Sequence, residues 1–119
     1  VYRYDGSSWQ QLGGNITDAV YSIDNPTISA DGNILAVKLE SYDEAKGAVY
    51  EDARVYRYNG SSWQQLGGDI LFGQYAPSGS SGFIYSLSMT SDGEALLLAG
   101  EWVGETYTDT KTRLYKLQP

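Results

Sequence analysis

Apolar and aromatic residues occur along this chain in short bursts, each closed by a polar step that carries glycine. Nowhere do they recur at the spacing of an amphipathic helix over ten residues. "VYRY" at 1–4 alternates branched, aromatic and basic groups, "DGSS" turns the chain, and "WQQL" runs back to Gly13-Gly14. The pattern "VYRYDGSSWQQLGGNI" then returns at Val55 as "VYRYNGSSWQQLGGDI", with fourteen of sixteen residues identical. The two changes exchange Asp and Asn (Asp5 for Asn59, Asn15 for Asp69). Asp-Gly and Asn-Gly favour the reversal of antiparallel strands because both tolerate positive φ.

A second hairpin pattern, "TISADGNILAVKL" from Thr27 to Leu39, pivots on Asp31-Gly32, and "SMTSDGEALLLAG" from Ser88 to Gly100 pivots on Asp92-Gly93. "TRLYKL" from Thr112 to Leu117 aligns with "ARVYRY" from Ala53 to Tyr58. The pattern predicts nine strands, at about 1–4, 9–13, 26–30, 34–39, 53–58, 63–67, 84–90, 95–99 and 112–117. "ILAVKL" and "ALLLA" are apolar on both faces, as strands are when other layers cover them on both sides. Trp9 and Trp63 fall at equivalent positions, and both are expected to bury their rings in the core.

The fold class that follows is all-β, built of four-stranded antiparallel blades with strands A, B, C and D, as in a β-propeller. Residues 1–16 would form the C–D hairpin of a first blade, 17–70 one complete blade, and 71–119 the A, B and C strands of a following blade. Fewer than three blades cannot close a ring, so either several copies assemble into one or, as the favoured expectation, the chain is a segment of a longer propeller, with open terminal strands prone to further pairing. "SADGNILAV" followed by "ARVYRYNGSSWQQLGGDI" resembles the repeat of the FG-GAP, or integrin-α-like, β-propeller proteins. That resemblance implies a secreted or surface-exposed protein. The chain lacks a literal Phe-Gly…Gly-Ala-Pro segment and the Asp-x-Asp-x-Asp-Gly calcium loop of some members.

Composition narrows the chemistry. Cysteine and histidine are absent, which excludes disulfides, thiolate nucleophiles and the commonest general base and zinc ligands. A net charge of −7 opposes a nucleic-acid partner. No apolar run is long enough to insert into a membrane.

In a blade the A–B and C–D turns share one edge and the D–A and B–C connections share the other. The latter, at about 17–25, 40–52, 71–83 and 100–111, differ most between copies, and variable loops on a rigid scaffold carry binding. They hold ten of the fifteen carboxylates: Asp18, Asp24, Glu40, Asp43, Glu44, Glu51, Asp52, Glu101, Glu105 and Asp109. The plain reading is a solvated acidic face; the sharper one is a surface for a basic partner or a cation. The spacing of Asp43, Glu44, Glu51 and Asp52 matches no EF-hand loop. Tyr42, Tyr50, Trp102 and Tyr107 lie beside these acids, as in sites that stack sugar rings, although tucking down their own loops is the commoner use of such rings. The loop at 71–83 is longer than its counterpart at 17–25 and is expected to be the most mobile.

The candidate partner-binding residues are therefore Tyr42, Asp43, Glu44, Tyr50, Glu51, Asp52, Trp102, Glu105 and Tyr107, with no catalytic and no metal-ligating set. Two glycosylation sequons start at Asn15 and Asn59. The expected function is non-catalytic: a propeller module for extracellular or surface protein–protein recognition and assembly, bound to a protein partner or to further blades. The alternatives are a glycan-binding propeller that uses the loop aromatics and, as a minor one, a calcium-binding adhesion module. An enzyme, such as a glycosidase with paired carboxylates, ranks below these.

Overall fold

The computed structural model describes residues 1–17 and 22–116. Asp18, among the acidic loop residues, and Leu117, the end of the last expected strand, lie outside the described residues.

The turns that recur in the sequence are held by side chains within them. Between β1 (Tyr2–Tyr4) and β2 (Trp9–Gln11) the Asp5 carboxylate accepts the backbone N–H groups of Ser7 and Ser8, both at 2.9 Å, and the Ser7 hydroxyl at 3.1 Å. Between β5 (Ala48–Tyr58) and β6 (Trp63–Gln65), Asn59 Oδ1 accepts the corresponding groups of Ser61 and Ser62 at the same distances. Only an acceptor oxygen is needed, so Asp and Asn interchange. The left-handed residues are the glycines, Gly6 at φ 103° and Gly60 at φ 101°. Among the described residues Asn25 is the only other type at positive φ. The aspartate and asparagine thus act through their side chains, not through the backbone tolerance expected from the sequence.

The second kind of turn repeats as closely. Asp31 accepts the Ser29 hydroxyl at 2.7 Å and the Asn33 N–H at 2.9 Å; Asp92 accepts the Thr90 hydroxyl and the Glu94 N–H at the same distances.

Nine strands form among the described residues, all β with one short 3₁₀ turn at Gly73–Tyr75. β3 (Ser22–Ile28), β4 (Ile34–Asp43), β5 and β6 pair antiparallel in chain order, as do β7 (Ser81–Met89), β8 (Ala95–Val103) and β9 (Thr108–Lys116). A single parallel bridge, Tyr50 to Gly82, joins the two groups, and β1 and β2 make a separate ribbon. The sheet is open, with β3 and β9 as the ends of its main path. No described helix is long and apolar enough to cross a membrane.

The connections expected at 40–52 and 100–111 are largely strand. β4 and β5 pair without interruption from Ile34–Arg57 to Asp43–Ala48, and β8 and β9 pair out to Val103–Thr108. The polar residues there can remain in strands because groups on neighbouring elements satisfy them, which no local pattern reveals.

β4 is covered on both sides. Leu35, Val37 and Leu39, with Tyr56, pack towards Val1 and Ile16 of the first hairpin. Ala36 and Ala53 point the other way, into a cluster with Phe72, Ile84, Leu96 and Leu98 that cements the β3–β6 and β7–β9 groups. β8 is different: Leu96 and Leu98 are buried, but Leu97 is 44% exposed and its cross-strand partner Leu114 69% exposed. The two-sided cover expected for "ALLLA" is therefore one-sided, since no described element lies over that face.

Trp9 corrects a second expectation, because it is 68% exposed. Trp63 is half-buried and donates its indole N–H to the Leu12 carbonyl of the preceding hairpin at 2.9 Å. Among the described residues no hairpin lies beneath Trp9, whose ring sits 5.4 Å from the Tyr4 ring of its own ribbon.

The 71–83 segment is anchored at its start. Phe72 is fully buried, and Gly73 passes so close to β5 and β7 that a Cβ there would lie 2.6 Å from the Glu51 nitrogen. A side chain at Gly73 would force these elements apart.

Candidate functional site

The long β4–β5 hairpin carries six of the nine candidate residues, and the structure divides them into two sets. Tyr42, Asp43, Glu44 and Tyr50 come together with Ser41, Lys46 and Gln74 around an open polar groove of about 470 Å³ at the hairpin's tip. Tyr42 is half-exposed, Glu44 is exposed, and Asp43 accepts the Lys46 N–H at 3.2 Å, which shapes the reversal. Strand alternation places Tyr42 opposite Val49 and Tyr50 opposite Ser41. The Ser41 hydroxyl donates weakly to the Tyr50 carbonyl at 3.4 Å.

Glu51 and Asp52 are buried instead. The Glu51 carboxylate accepts the Ile84 N–H of β7 at 2.8 Å and lies 3.3 Å from Lys38 Nζ, which also reaches Asp24 at 3.3 Å. Asp52 accepts the Gly73 N–H and the Gln74 side-chain amide, both at 2.8 Å. Burial pushes both carboxyls above the ordinary range, while these donors pull the other way. Burial also opposes the charge on Lys38, but Glu51 and Asp24 outweigh it and raise its pKa. The two acids thus clamp the β7–β9 group and the 3₁₀ turn onto β5. Their hydrogen-bond donors Ile84, Gly73 and Gln74 lie more than twenty residues away in the chain, so only the fold could reveal this use.

Trp102, Glu105 and Tyr107 lie on the β8–β9 hairpin and do not line the groove. Trp102 is half-buried, donates its indole N–H to the Phe72 carbonyl at 3.2 Å, and sits under Lys111 Nζ at 4.9 Å and Arg113 at 5.6 Å. Its ring already serves the fold and two cations. Tyr107 folds back over Gly104, whose N–H donates to the Tyr107 carbonyl at 2.9 Å, and Glu105 is exposed at the tip.

Sequence reasoning missed Gln74. It reaches the groove because the 3₁₀ turn is tied to Asp52, and nothing in "LFGQYAP" alone indicates that. Both sequon asparagines are exposed, each with its side-chain oxygen engaged: Asn59 in its turn, and Asn15 by the Gln11 amide at 2.8 Å. Among the described residues no group of three or more acidic side chains is placed to hold a metal ion. No family model, no curated protein and no solved structure matches the chain.

Proposed function

We infer that the chain is a non-catalytic recognition and assembly module of the β-propeller kind, a segment of an FG-GAP-like repeat array acting outside the cell or at its surface. Its partner contact is the polar groove at the β4–β5 tip. The observation that carries this reading is the lining of one open groove by Tyr42, Tyr50, Asp43 and Glu44. The order β3-β4-β5-β6 and its stacking between two further layers support the blade architecture. A groove of this composition favours a protein segment that brings a basic side chain to the acids and an apolar one to the rings.

The second reading, a glycan, rests on the half-exposed Tyr42 ring beside the same acids. Binding measured against an array of lysine- and arginine-bearing peptides and against a glycan array separates the two. Peptide binding that weakens with salt and is lost in Asp43→Asn/Glu44→Gln supports the first reading. Glycan binding that survives that double change but is lost in Tyr42→Ala supports the second, and no binding on either array sinks both.

A further inference from the structure

The seam between the first hairpin and the β3–β6 group has an internal counterpart between that group and β7–β9. At the first seam, the Trp63 indole lies on the end of β2: it donates to the Leu12 carbonyl, and a Cβ on Gly13 would sit 3.0 Å from its ring. At the second seam the matching residues are Leu66 and Gly67, at the end of β6. Here Gly67 is exposed among the described residues, and a Cβ on it would meet no atom within 4 Å. In place of an indole there is a largely apolar groove of about 300 Å³, lined by Val55, Leu66, Gly67, Leu96 and Tyr115 among others.

Among the described strands, none brings a tryptophan there. β5 pairs with β4 on one edge and with β6, which starts with Trp63, on the other. β9, the counterpart of β5 in the next group, pairs only with β8 among the described strands. An unpaired strand edge and a groove that elsewhere in the same chain holds an indole therefore lie side by side.

We propose that the β9 edge and this groove form an acceptor site for one extended, tryptophan-led peptide strand in the manner of β6. The strand pairs antiparallel with Leu114–Lys116. Its indole enters the groove and donates its N–H to the Leu66 carbonyl, as Trp63 does to Leu12. Main-chain pairing supplies the register, and the indole supplies the selectivity. This site is separate from the tyrosine groove and stands whether or not that groove binds a protein.

The probe is a synthetic peptide with the sequence of residues 59–68, Asn-Gly-Ser-Ser-Trp-Gln-Gln-Leu-Gly-Gly, titrated into the full 119-residue chain and followed by backbone amide NMR. Saturable binding is expected, with the largest shifts at Leu66, Gly67 and Leu114–Lys116. The same peptide carrying Trp63→Ala should bind at least ~10-fold more weakly. Since this change is in the peptide, the fold of the acceptor is untouched. Absence of saturable binding, equal binding of the two peptides, or shifts confined to the β3 edge would overturn the proposal. So would a chain that self-associates through β9 and is not dissociated by the peptide.

Discussion

β4 and β8 begin from matching turns and occupy matching places in their sheets, yet only β4 is covered on both faces. Ala36 of β4 is fully buried, whereas Leu97 at the corresponding position of β8 is 44% exposed although it is the larger and more apolar residue. Side-chain character therefore does not decide burial here; the presence of a neighbouring layer does. The same contrast separates Trp63 from Trp9 at the other end of the stack. Each layer is completed by the one packed against it, and the outer faces of the described residues show what the inner ones conceal.

The sharpest way to break this comparison is within one strand. Leu98→Ala removes a fully buried side chain from the cluster that joins the two groups, and should destabilise the chain by ~2–5 kcal/mol. Leu97→Ala, one residue away on the open face, should cost less than about 1 kcal/mol. Chemical denaturation of both variants measures the difference. Equal losses would mean that the face carrying Leu97 is covered in solution.

A smaller loss is expected at the clamp between the groups. Glu51→Ala leaves the Ile84 N–H without its acceptor and leaves Lys38 with Asp24 alone, for a loss of ~1–3 kcal/mol. Hydrogen exchange should show the effect concentrated in β7–β9. Loss spread evenly over β3–β6 as well would deny that Glu51 acts at the seam.

The pH dependence sharpens the contrast between seam and turns. Glu51 and Asp52 have carboxyl pKa values raised by burial, so the folded state holds their protons more tightly than the unfolded chain does. Their contribution to stability is largest below the unfolded pKa and is lost as pH rises through the raised folded values. Asp69 is shifted the other way by its hydrogen bonds from Arg54, at 2.6 and 2.8 Å, and Asp5, Asp31 and Asp92 by their turn hydrogen bonds. Those groups stabilise the fold above the ordinary carboxylate range and cease to do so as pH falls through their lowered values. The melting temperature should rise slightly as pH falls from neutral towards the ordinary carboxylate range of about 4, and drop once pH falls below that range. A steady fall over the whole range would contradict the assignment of Glu51 and Asp52.

The smallest expected effect tests the identity of the two hairpin turns. Asn59→Asp reproduces Asp5, and stability should change by no more than about 0.5 kcal/mol. Asn59→Ala, which removes the acceptor of three hydrogen bonds, should cost about 1 kcal/mol. Thermal melts of the two variants distinguish an acceptor requirement from a general tolerance of the position.

The turns and strand identities were legible in the sequence because their causes are local: an acceptor side chain, a glycine and an alternating pattern within a few residues. The extent of β4 and β5 was not. "SYDEAKGAVYED" reads as a polar loop, and the groups that let Glu51 and Asp52 be buried in a strand are Ile84, Gly73 and Gln74. For the same reason only Tyr42, Asp43, Glu44 and Tyr50 of the candidate residues share a groove, while Trp102 packs onto Phe72 and Tyr107 folds back over Gly104 of its own hairpin.

The near-identity of the two hairpins bears on how the chain reaches this structure. Two stretches, 1–16 and 55–70, are almost equally able to fill either place, so misassignment is a built-in competitor during folding. What biases the choice is connectivity. β4 and β5 are joined by a short reversal and make ten consecutive cross-strand pairs, so 55–70 is delivered beside β4 sooner than a segment that must close a longer loop. Stopped-flow refolding is expected to show a slow minor phase that disappears when Trp9→Ala makes the first copy a poorer imitation of the second. A single phase in both proteins would show that the β4–β5 connection alone is enough to keep the copies apart.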